Sequence, residues 1–93
     1  MLKVNELEYA SRPPRPSYPG AAKRLGQQGV VVVRVLIGQT GAIESVRIIR
    51  SSQHASLDQA AVQAMRAVTF KPYRVSGVAR RAMADIPFNF VLR

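Results

Sequence analysis

The feature that most constrains the fold is an almost continuous apolar run at residues 30–37, which only Arg34 interrupts. Most of the run is valine and isoleucine, whose branched side chains are stiff and suit a pleated sheet, so it predicts a β-strand. Because apolar residues point to both faces, the strand is expected in the centre of a sheet. Gly38 and Gly41 then allow a tight turn into a second strand at residues 42–50, and the two strands are predicted to form a hairpin.

A later segment, residues 56–68, shows the spacing of an amphipathic helix, with apolar side chains recurring every three or four positions. Ser56 and Gln59 stand at the spacing of a capping box, and Asp58 places negative charge where the helix dipole favours it. Pro72 cannot continue a helix, so the helix is expected to end near Val68. The apolar stripe consists of Leu57, Ala60, Ala61, Ala64, Met65 and Val68.

The end of the chain, residues 82–92, alternates between apolar and mixed side chains, which predicts a strand with one buried face. Pro87 lies in its middle and cannot donate a backbone hydrogen bond, so the strand is expected at an edge of the sheet. Successive residues of a strand direct their backbone groups to opposite neighbours. Met83 and Asp85 should therefore point outward together with Pro87.

These elements predict an α+β fold in the order α-β-β-α-β. A short helix at residues 21–25 precedes the first strand, and the last strand returns beside that strand through a crossover. The result is a three-stranded antiparallel sheet, with the long helix and the short N-terminal helix packed on one face. Residues 1–16, which end in a run of proline and arginine, are expected to form an extended arm or the end of a spacer, and residues 17–93 the folded domain.

The composition narrows the classes of function. The chain has 93 residues and no cysteine, which leaves room for one modest core and for no disulfide or thiolate site. Its net charge of +9 suits nucleic acid, an anionic membrane or an acidic protein partner, although the cations are scattered. Proteins that bind single-stranded nucleic acid stack bases on exposed aromatic rings, whereas Phe88 and Phe90 are predicted on the buried face. Nucleic acid is therefore not the expected partner, and a basic nucleic-acid-binding domain stays an alternative.

Catalysis is not expected either. The single histidine, His54, lies among Ser51, Ser52 and Ser56, but a nucleophile and base also need an orienting group and an oxyanion site. One histidine without cysteine or clustered acids cannot complete a metal site. We therefore predict a non-enzymatic domain without a metal or cofactor.

The predicted edge strand is the feature that points to binding. An unpaired row of backbone N–H and C=O groups invites another strand, and charged residues at such an edge often serve to prevent that pairing. Arg80, Arg81 and Asp85 are consistent with such protection. They are equally consistent with a site where a partner adds as a strand and its alternate side chains provide selectivity.

Several motifs follow one another in a consistent order across residues 17–93. They are Tyr18-Pro19 with Ala22, Gly29-Val30-Val31-Val32-Val33, Gly41, Ser51-Ser52, Leu57-Asp58-Gln59-Ala60-Ala61, Ala64, Phe70-Lys71-Pro72 and Ile86-Pro87-Phe88-Asn89-Phe90. Together they resemble the TonB C-terminal domain family. Two positions depart from the family pattern, since Thr40 replaces a usual Asp before the turn glycine and Val68 replaces a common Trp.

The resemblance implies a domain that binds the Ton box and plug region of TonB-dependent outer-membrane receptors. The Ton box would add as a strand, coupling the proton gradient to uptake of siderophores, haem or similar nutrients. On the strand edge, the implied partner-binding residues are Arg80, Arg81, Ala82, Met83, Ala84, Asp85, Ile86, Pro87 and Phe88. On the arm they are Arg15, Pro16, Ser17 and Tyr18.

The resemblance also implies a periplasmic location, as the C-terminal domain of a protein anchored in the inner membrane of a Gram-negative bacterium. An ExbB/ExbD-type motor would act through an N-terminal anchor and a Pro-rich spacer outside this chain. A TolA-like envelope adaptor of similar fold is an alternative function. Because an open edge can pair with its own copy, a homodimer through the edge strand is a further alternative.

Overall fold

The computed structural model describes residues 2–4 and 7–92, so Met1, Asn5 and Glu6 of the predicted arm and the terminal Arg93 lie outside the description. Neither helix in the described part of the chain is long and apolar enough to cross a membrane. The elements in chain order are β1 (Leu2–Lys3), α1 (Gly20–Arg24), β2 (Gly29–Ile37), β3 (Ile43–Arg50), α2 (Ala55–Arg66), β4 (Tyr73–Val75), β5 (Val78–Arg80) and β6 (Ala82–Phe90).

The main sheet has the strand order β1-β6-β2-β3. β2 lies in the centre and pairs antiparallel with both β3 and β6, which confirms the predicted hairpin and the predicted return of the last strand. The α+β class and the two helices are also as predicted. The predicted three-stranded antiparallel sheet is incomplete, because β1 pairs parallel with β6 and makes the sheet mixed and four-stranded. A strand of two residues, Leu2 and Lys3, is too short to show any periodicity.

The core lies between the sheet and α2. β2 buries Val31, Val33, Val35 and Ile37 completely on the helix side, while its other apolar residues are half-buried on the open face of the sheet. α1 contributes the buried Ala22. The predicted helix stripe is confirmed, since its members Leu57, Ala60, Ala61, Met65 and Val68 are buried and Ala64 is half-buried.

The start of α2 differs from the prediction. The helix begins at Ala55, and the capping box does not form, because the Ser56 hydroxyl donates to Gln27 Oε1 at 3.2 Å. Asp58 accepts instead from the Ser52 backbone N–H at 2.9 Å and from the Ser51 hydroxyl at 2.5 Å. A carboxylate is a stronger acceptor than the neutral side-chain amide of Gln59. The connector before the helix therefore donates its hydrogen bonds to Asp58. The helix ends at Arg66, two residues before the predicted end.

The β2–β3 turn depends on Gly41, whose φ is +89°. A Cβ at this position would lie 2.0 Å from the carbonyl oxygen of Phe70, so no other residue fits without moving the backbone. The turn closes through a hydrogen bond of 2.9 Å from the Gly38 N–H to the Ala42 carbonyl oxygen, although Thr40 stands at the atypical position. The glycine thus locks the hairpin onto the segment that follows α2.

A second, two-stranded sheet of β4 and β5 was predicted only as a turn. Ser76 and Gly77 both have positive φ, at 52° and 80°, and connect the two strands. The hairpin exposes Val75 and Val78. Such short strands have no periodic pattern of their own, which explains why the sequence did not indicate them.

The described part of the arm is attached to the domain. Residues 8–11 lie antiparallel to residues 69–71, with the Ala10 N–H donating to the Thr69 carbonyl at 2.9 Å and the Lys71 N–H to the Glu8 carbonyl at 2.8 Å. The Tyr9 and Phe70 rings stack with centroids 4.9 Å apart. Burial of this contact raises the pKa of Tyr9. The arm is therefore extended, and it is held to the segment that Gly41 also contacts.

Candidate functional site

The candidate site is the outer edge of β6. The side chains of Ala82, Ala84 and Phe88 are buried on the helix side, and Ile86 is half-buried there. On the open face, Met83 and Asp85 are half-buried and Pro87 is exposed. The buried members can therefore meet a partner only through their backbone, while the open-face members can also present side chains.

The backbone at this edge points as the sequence predicts. The Met83 carbonyl faces outward and accepts a hydrogen bond of 2.8 Å from the Val4 N–H. Since backbone direction alternates along a strand, Asp85, Pro87 and Asn89 point the same way. The register of β6 on β2 is unbroken, with Ile86 opposite Val33 and Phe88 opposite Val31. The outward row is thus a regular strand edge in which only Pro87 lacks a donor.

One end of this edge is already occupied by β1. Leu2 lies opposite Ala82 and Lys3 opposite Met83, in parallel orientation. The pairing is short, with a second hydrogen bond of 3.5 Å from the Leu2 N–H to the Arg81 carbonyl. Within the described residues, no strand pairs with the outer edge of β6 beyond Met83. As far as the structure describes the chain, the site therefore consists of an end occupied by β1 and a remainder with which no strand pairs.

A charged cluster crosses the open face at the middle of the edge. Arg34 of β2 donates to Asp85 through Nε at 2.8 Å and through Nη2 at 3.1 Å. Lys3 of β1 approaches from the other side, with Nζ 3.2 Å from Asp85 Oδ2. The hydrogen bonds from Arg34, aided by Lys3, outweigh desolvation and lower the pKa of Asp85 to about 2. Asp85 is therefore a firmly ionised acceptor at the strand edge.

The two arginines before β6 have different environments. Arg81 donates to Glu44 Oε1 through Nε at 3.0 Å and Nη2 at 2.7 Å, which ties the start of β6 to β3. Arg80 is exposed at the end of β5, and no ion pair involves it among the described residues. Arg80 is thus the more available cation beside the edge.

A shallow cleft of about 530 Å³ lies at the β1 end of the site. Sequence reasoning missed most of this surface, including Leu2, Gln39 and Val75. The contribution of Leu2 had no detectable signal, because β1 is too short for a pattern. The residues that line this cleft are Leu2, Gln39, Val75, Arg80 and Arg81.

The predicted arm residues lie elsewhere. Arg15 and Ser17 are exposed and Pro16 is half-buried. Arg15 and Ser17 line a shallow cleft against α2. The Tyr18 hydroxyl donates to the Gln27 carbonyl, and its ring meets Phe90 edge-on with centroids 5.4 Å apart. Tyr18 therefore reaches the C-terminal end of β6, at the opposite end from the β1 pairing, and its hydroxyl already has a partner.

The serine and histidine cluster has a structural arrangement. The Ser52 hydroxyl lies 2.7 Å from Asp58 Oδ1, and the same hydroxyl accepts from the His54 N–H at 3.1 Å. Burial raises the pKa of Asp58, but the hydrogen bonds from Ser51 and Ser52 outweigh it and lower the pKa. These hydrogen bonds tie the connector before α2 to Asp58 in the first turns of the helix. Within the residues that the structure describes, no group of three or more metal-binding side chains is found.

Comparisons with known proteins agree with this architecture. A family model described as Gram-negative bacterial TonB protein C-terminal matches residues 14–92. Protein tonB2 of Pseudomonas aeruginosa is 34% identical over 79 residues, which cover 85% of this chain and 29% of that protein. Protein TonB of Xanthomonas campestris pv. campestris is 36% identical over 77 residues, which cover 83% of this chain and 34% of that protein. The chain spans about a third of the length of these relatives.

A solved structure is similar across nearly the whole chain. The solution NMR structure of the Pseudomonas aeruginosa TonB CTD matches with a TM-score of 0.74 and 30% sequence identity. The match covers 97% of this chain and 92% of that chain. The similarity therefore extends to the region before residue 14 that the family model leaves out.

Proposed function

Since the chain belongs to the Gram-negative TonB C-terminal domain family, a family of energy transducers that are not enzymes, we propose that it is the receptor-binding domain of such a transducer. The partner is the Ton box of a TonB-dependent outer-membrane receptor. The Ton box adds as a strand to the outer edge of β6, and the pull of an inner-membrane motor is transmitted through this pairing. The family resemblance seen in the sequence motifs is confirmed by the family match.

The observation that carries this proposal is the half-occupied edge. β1 pairs with Met83 at one end, so the edge is geometrically competent to accept a strand. Beyond it, Asp85, Pro87 and Asn89 direct their backbone groups away from β2, as alternation requires. Each backbone hydrogen bond contributes a net of about 0.5–1.5 kcal/mol, so a few new bonds give a modest, reversible affinity.

The sheet next to this edge suits a contact that transmits force. β6 pairs with the central β2 over nine positions, from Gly29–Phe90 to Ile37–Ala82. Its side chains Ala82, Ala84, Phe88 and Phe90 are in the core under the helices. A strand added to β6 is therefore tied to the most extensively paired element of the fold rather than to a loop.

The arm has a supporting role in the proposal. Tyr18 packs on Phe90 and donates its hydroxyl internally, so it positions the arm at the C-terminal end of β6. Arg15 and Ser17 stay exposed and can meet receptor residues that flank the Ton box. In this proposal the domain is residues 17–93, and the described part of the arm before it is held to the domain through β1 and through the pairing of Tyr9 with Phe70.

In the complete protein, the domain is periplasmic and follows a membrane anchor and spacer, through which an ExbB/ExbD-type motor acts. The net charge of +9 then serves to attract an acidic receptor surface. The burial of Phe70, Phe88 and Phe90 in the core supports this reading over nucleic-acid binding, which needs exposed rings.

The test is a chemical-shift titration of the isotope-labelled chain with an extended Ton-box peptide and, separately, with single-stranded DNA. The proposal expects peptide-induced shifts concentrated at residues 2–4 and 80–89. Shifts scattered over the cations in both titrations, and abolished by salt, would instead identify a nonspecific polyanion surface and refute the proposal.

A further inference from the structure

The resident strand β1 shows what the edge of β6 recognises. Its side chain on the open face is Lys3, which lies opposite Met83 and reaches Asp85 Oδ2 at 3.2 Å. The backbone pairing around it is small, with two inward N–H donors, from Leu2 and Val4. The contact between Lys3 and the Asp85 carboxylate is therefore the main feature that sets this part of the edge apart from the rest of β6.

Asp85 is the only acidic residue of β6, and the other carboxylates described have different partners. Glu44 pairs with Arg81, Glu8 with Lys71, and Asp58 with the serines of the connector. Arg34 holds Asp85 from the β2 side and leaves the side toward the edge to Lys3. The edge thus presents one oriented carboxylate, paired with Arg34 on the β2 side, to whatever strand pairs there.

We propose that Asp85 is a specificity-determining residue of the strand-binding edge, and that it forms a subsite for a lysine or arginine of the added strand. This inference rests on the proposed function and deepens it by naming a chemical feature of the partner. The partner strand runs parallel to β6 in the register of residues 2–4 and places its basic side chain where Lys3 lies. A partner with an acidic residue at that position is disfavoured by repulsion from Asp85.

The same geometry makes β1 a competitor of the partner. A strand that takes this register has to displace residues 2–4. The apparent affinity for the partner is therefore its intrinsic affinity multiplied by the fraction of molecules in which β1 is detached. Replacing Val4 by proline removes the N–H that donates to the Met83 carbonyl at 2.8 Å, while the core elements do not depend on that bond. Val4→Ala is the matched control, because it trims the same side chain but keeps the donor.

The experiment measures binding by calorimetry to the 93-residue chain carrying Val4→Pro, to its Val4→Ala control and to a Val4→Pro, Asp85→Asn double variant. The probes are three acetylated and amidated peptides with the sequence Ser-Leu-Xaa-Val-Ser, in which Xaa is lysine, norleucine or glutamate. Circular dichroism melts verify that each variant is folded. Amide shifts at residues 83–89 verify that a bound peptide lies on the edge.

We expect the lysine peptide to bind Val4→Pro about two- to fivefold more tightly than the norleucine peptide, the range of a solvent-screened ion pair, and the glutamate peptide to bind most weakly. The lysine preference should disappear in the Asp85→Asn double variant, and Val4→Ala should bind all three peptides more weakly than Val4→Pro. Equal binding of the three peptides at the edge of Val4→Pro would overturn the subsite while leaving the proposed function intact. No edge binding by any peptide would overturn the strand-addition proposal and the subsite together.

Discussion

Arg34 and Asp85 face each other across the two longest strands of the sheet, joined by hydrogen bonds of 2.8 and 3.1 Å. They are direct neighbours in the β2–β6 register. The pair therefore links the central strand to the strand whose outer edge we propose as the binding site. Any change in the charge of Asp85 should be felt both in the stability of the sheet and at that edge.

The ionisation of Asp85 should make stability depend on acid. Its pKa is lowered to about 2 in the folded chain, chiefly by the hydrogen bonds from Arg34, against about 3.9 in an unfolded one. A depressed carboxyl pKa contributes stability that is fully present above the unfolded value and is lost as pH falls through the folded value. We expect Asp85→Asn to cost about 1 kcal/mol at pH 7, allowing for solvent screening, and much less near pH 2.

Urea unfolding of both proteins at a series of pH values measures this difference. Asp58, whose pKa is also lowered, is present in both proteins, so its contribution cancels in the comparison. A cost of Asp85→Asn that stays constant between pH 7 and pH 2 would contradict the role assigned to the ionised carboxylate.

The two glycines with positive φ at hairpin turns should respond differently to alanine. Gly77→Ala meets no atom within 4 Å, so it should cost only the backbone strain of a positive φ, about 1–2 kcal/mol. Gly41→Ala has the same strain, and its Cβ would also lie 2.0 Å from the Phe70 carbonyl oxygen. We expect it to cost about 3 kcal/mol or more, measured as the difference in unfolding free energy. Equal losses of unfolding free energy in the two variants would mean that Gly41 is not in close contact with the segment after α2.

Arg80 should act mainly on the rate of encounter with the receptor. It is exposed beside the edge and has no ion-pair partner among the described residues, so its charge is available for steering. Arg80→Gln should lower the association rate for a receptor segment by roughly twofold to fivefold at low salt, with a smaller change in dissociation.

Stopped-flow binding at several salt concentrations checks this, with Arg66→Gln as the matched control. Arg66 is also an exposed arginine, but it lies at the end of α2 in a cleft beside Ile48 of β3, away from β6. A change confined to dissociation would instead make Arg80 a direct clamp on the partner.

An element was predictable from the sequence when its hydrophobic pattern was long. α2 and β6 carry periodic patterns over twelve and nine residues, and β2 carries a long apolar run, so their types were predicted correctly. The antiparallel pairing of β2 with β3 and β6 was also predicted, whereas the parallel neighbour β1 of β6 was not. The predicted capping box was wrong, because residue spacing alone does not show whether Gln59 or Asp58 is the preferred hydrogen-bond acceptor. That choice depends on where Ser51 and Ser52 lie in three dimensions.

The candidate site was predictable only in part for the same reason. Pro87 within an alternating segment indicated an edge, and the outward direction of Met83 is confirmed by its hydrogen bond to Val4. The partners of Asp85 were not predictable, since Lys3 lies 82 positions away in a strand of two residues. Arg34 in an otherwise apolar strand was the one available signal of that cluster.

Two N-methylated Ton-box peptides test whether a partner pairs through its backbone with the outer edge of β6. One carries N-methyl groups on the odd residues and the other on the even residues, so in an added strand only one of them keeps its inward donors. In chemical-shift titrations of the labelled chain, we expect one peptide to bind and to shift the amides of Met83, Asp85 and Asn89, and the other peptide not to bind. If both peptides bind alike, or if the shifts fall on Arg15–Tyr18 of the arm and spare β6, the edge of β6 is not the site of strand addition.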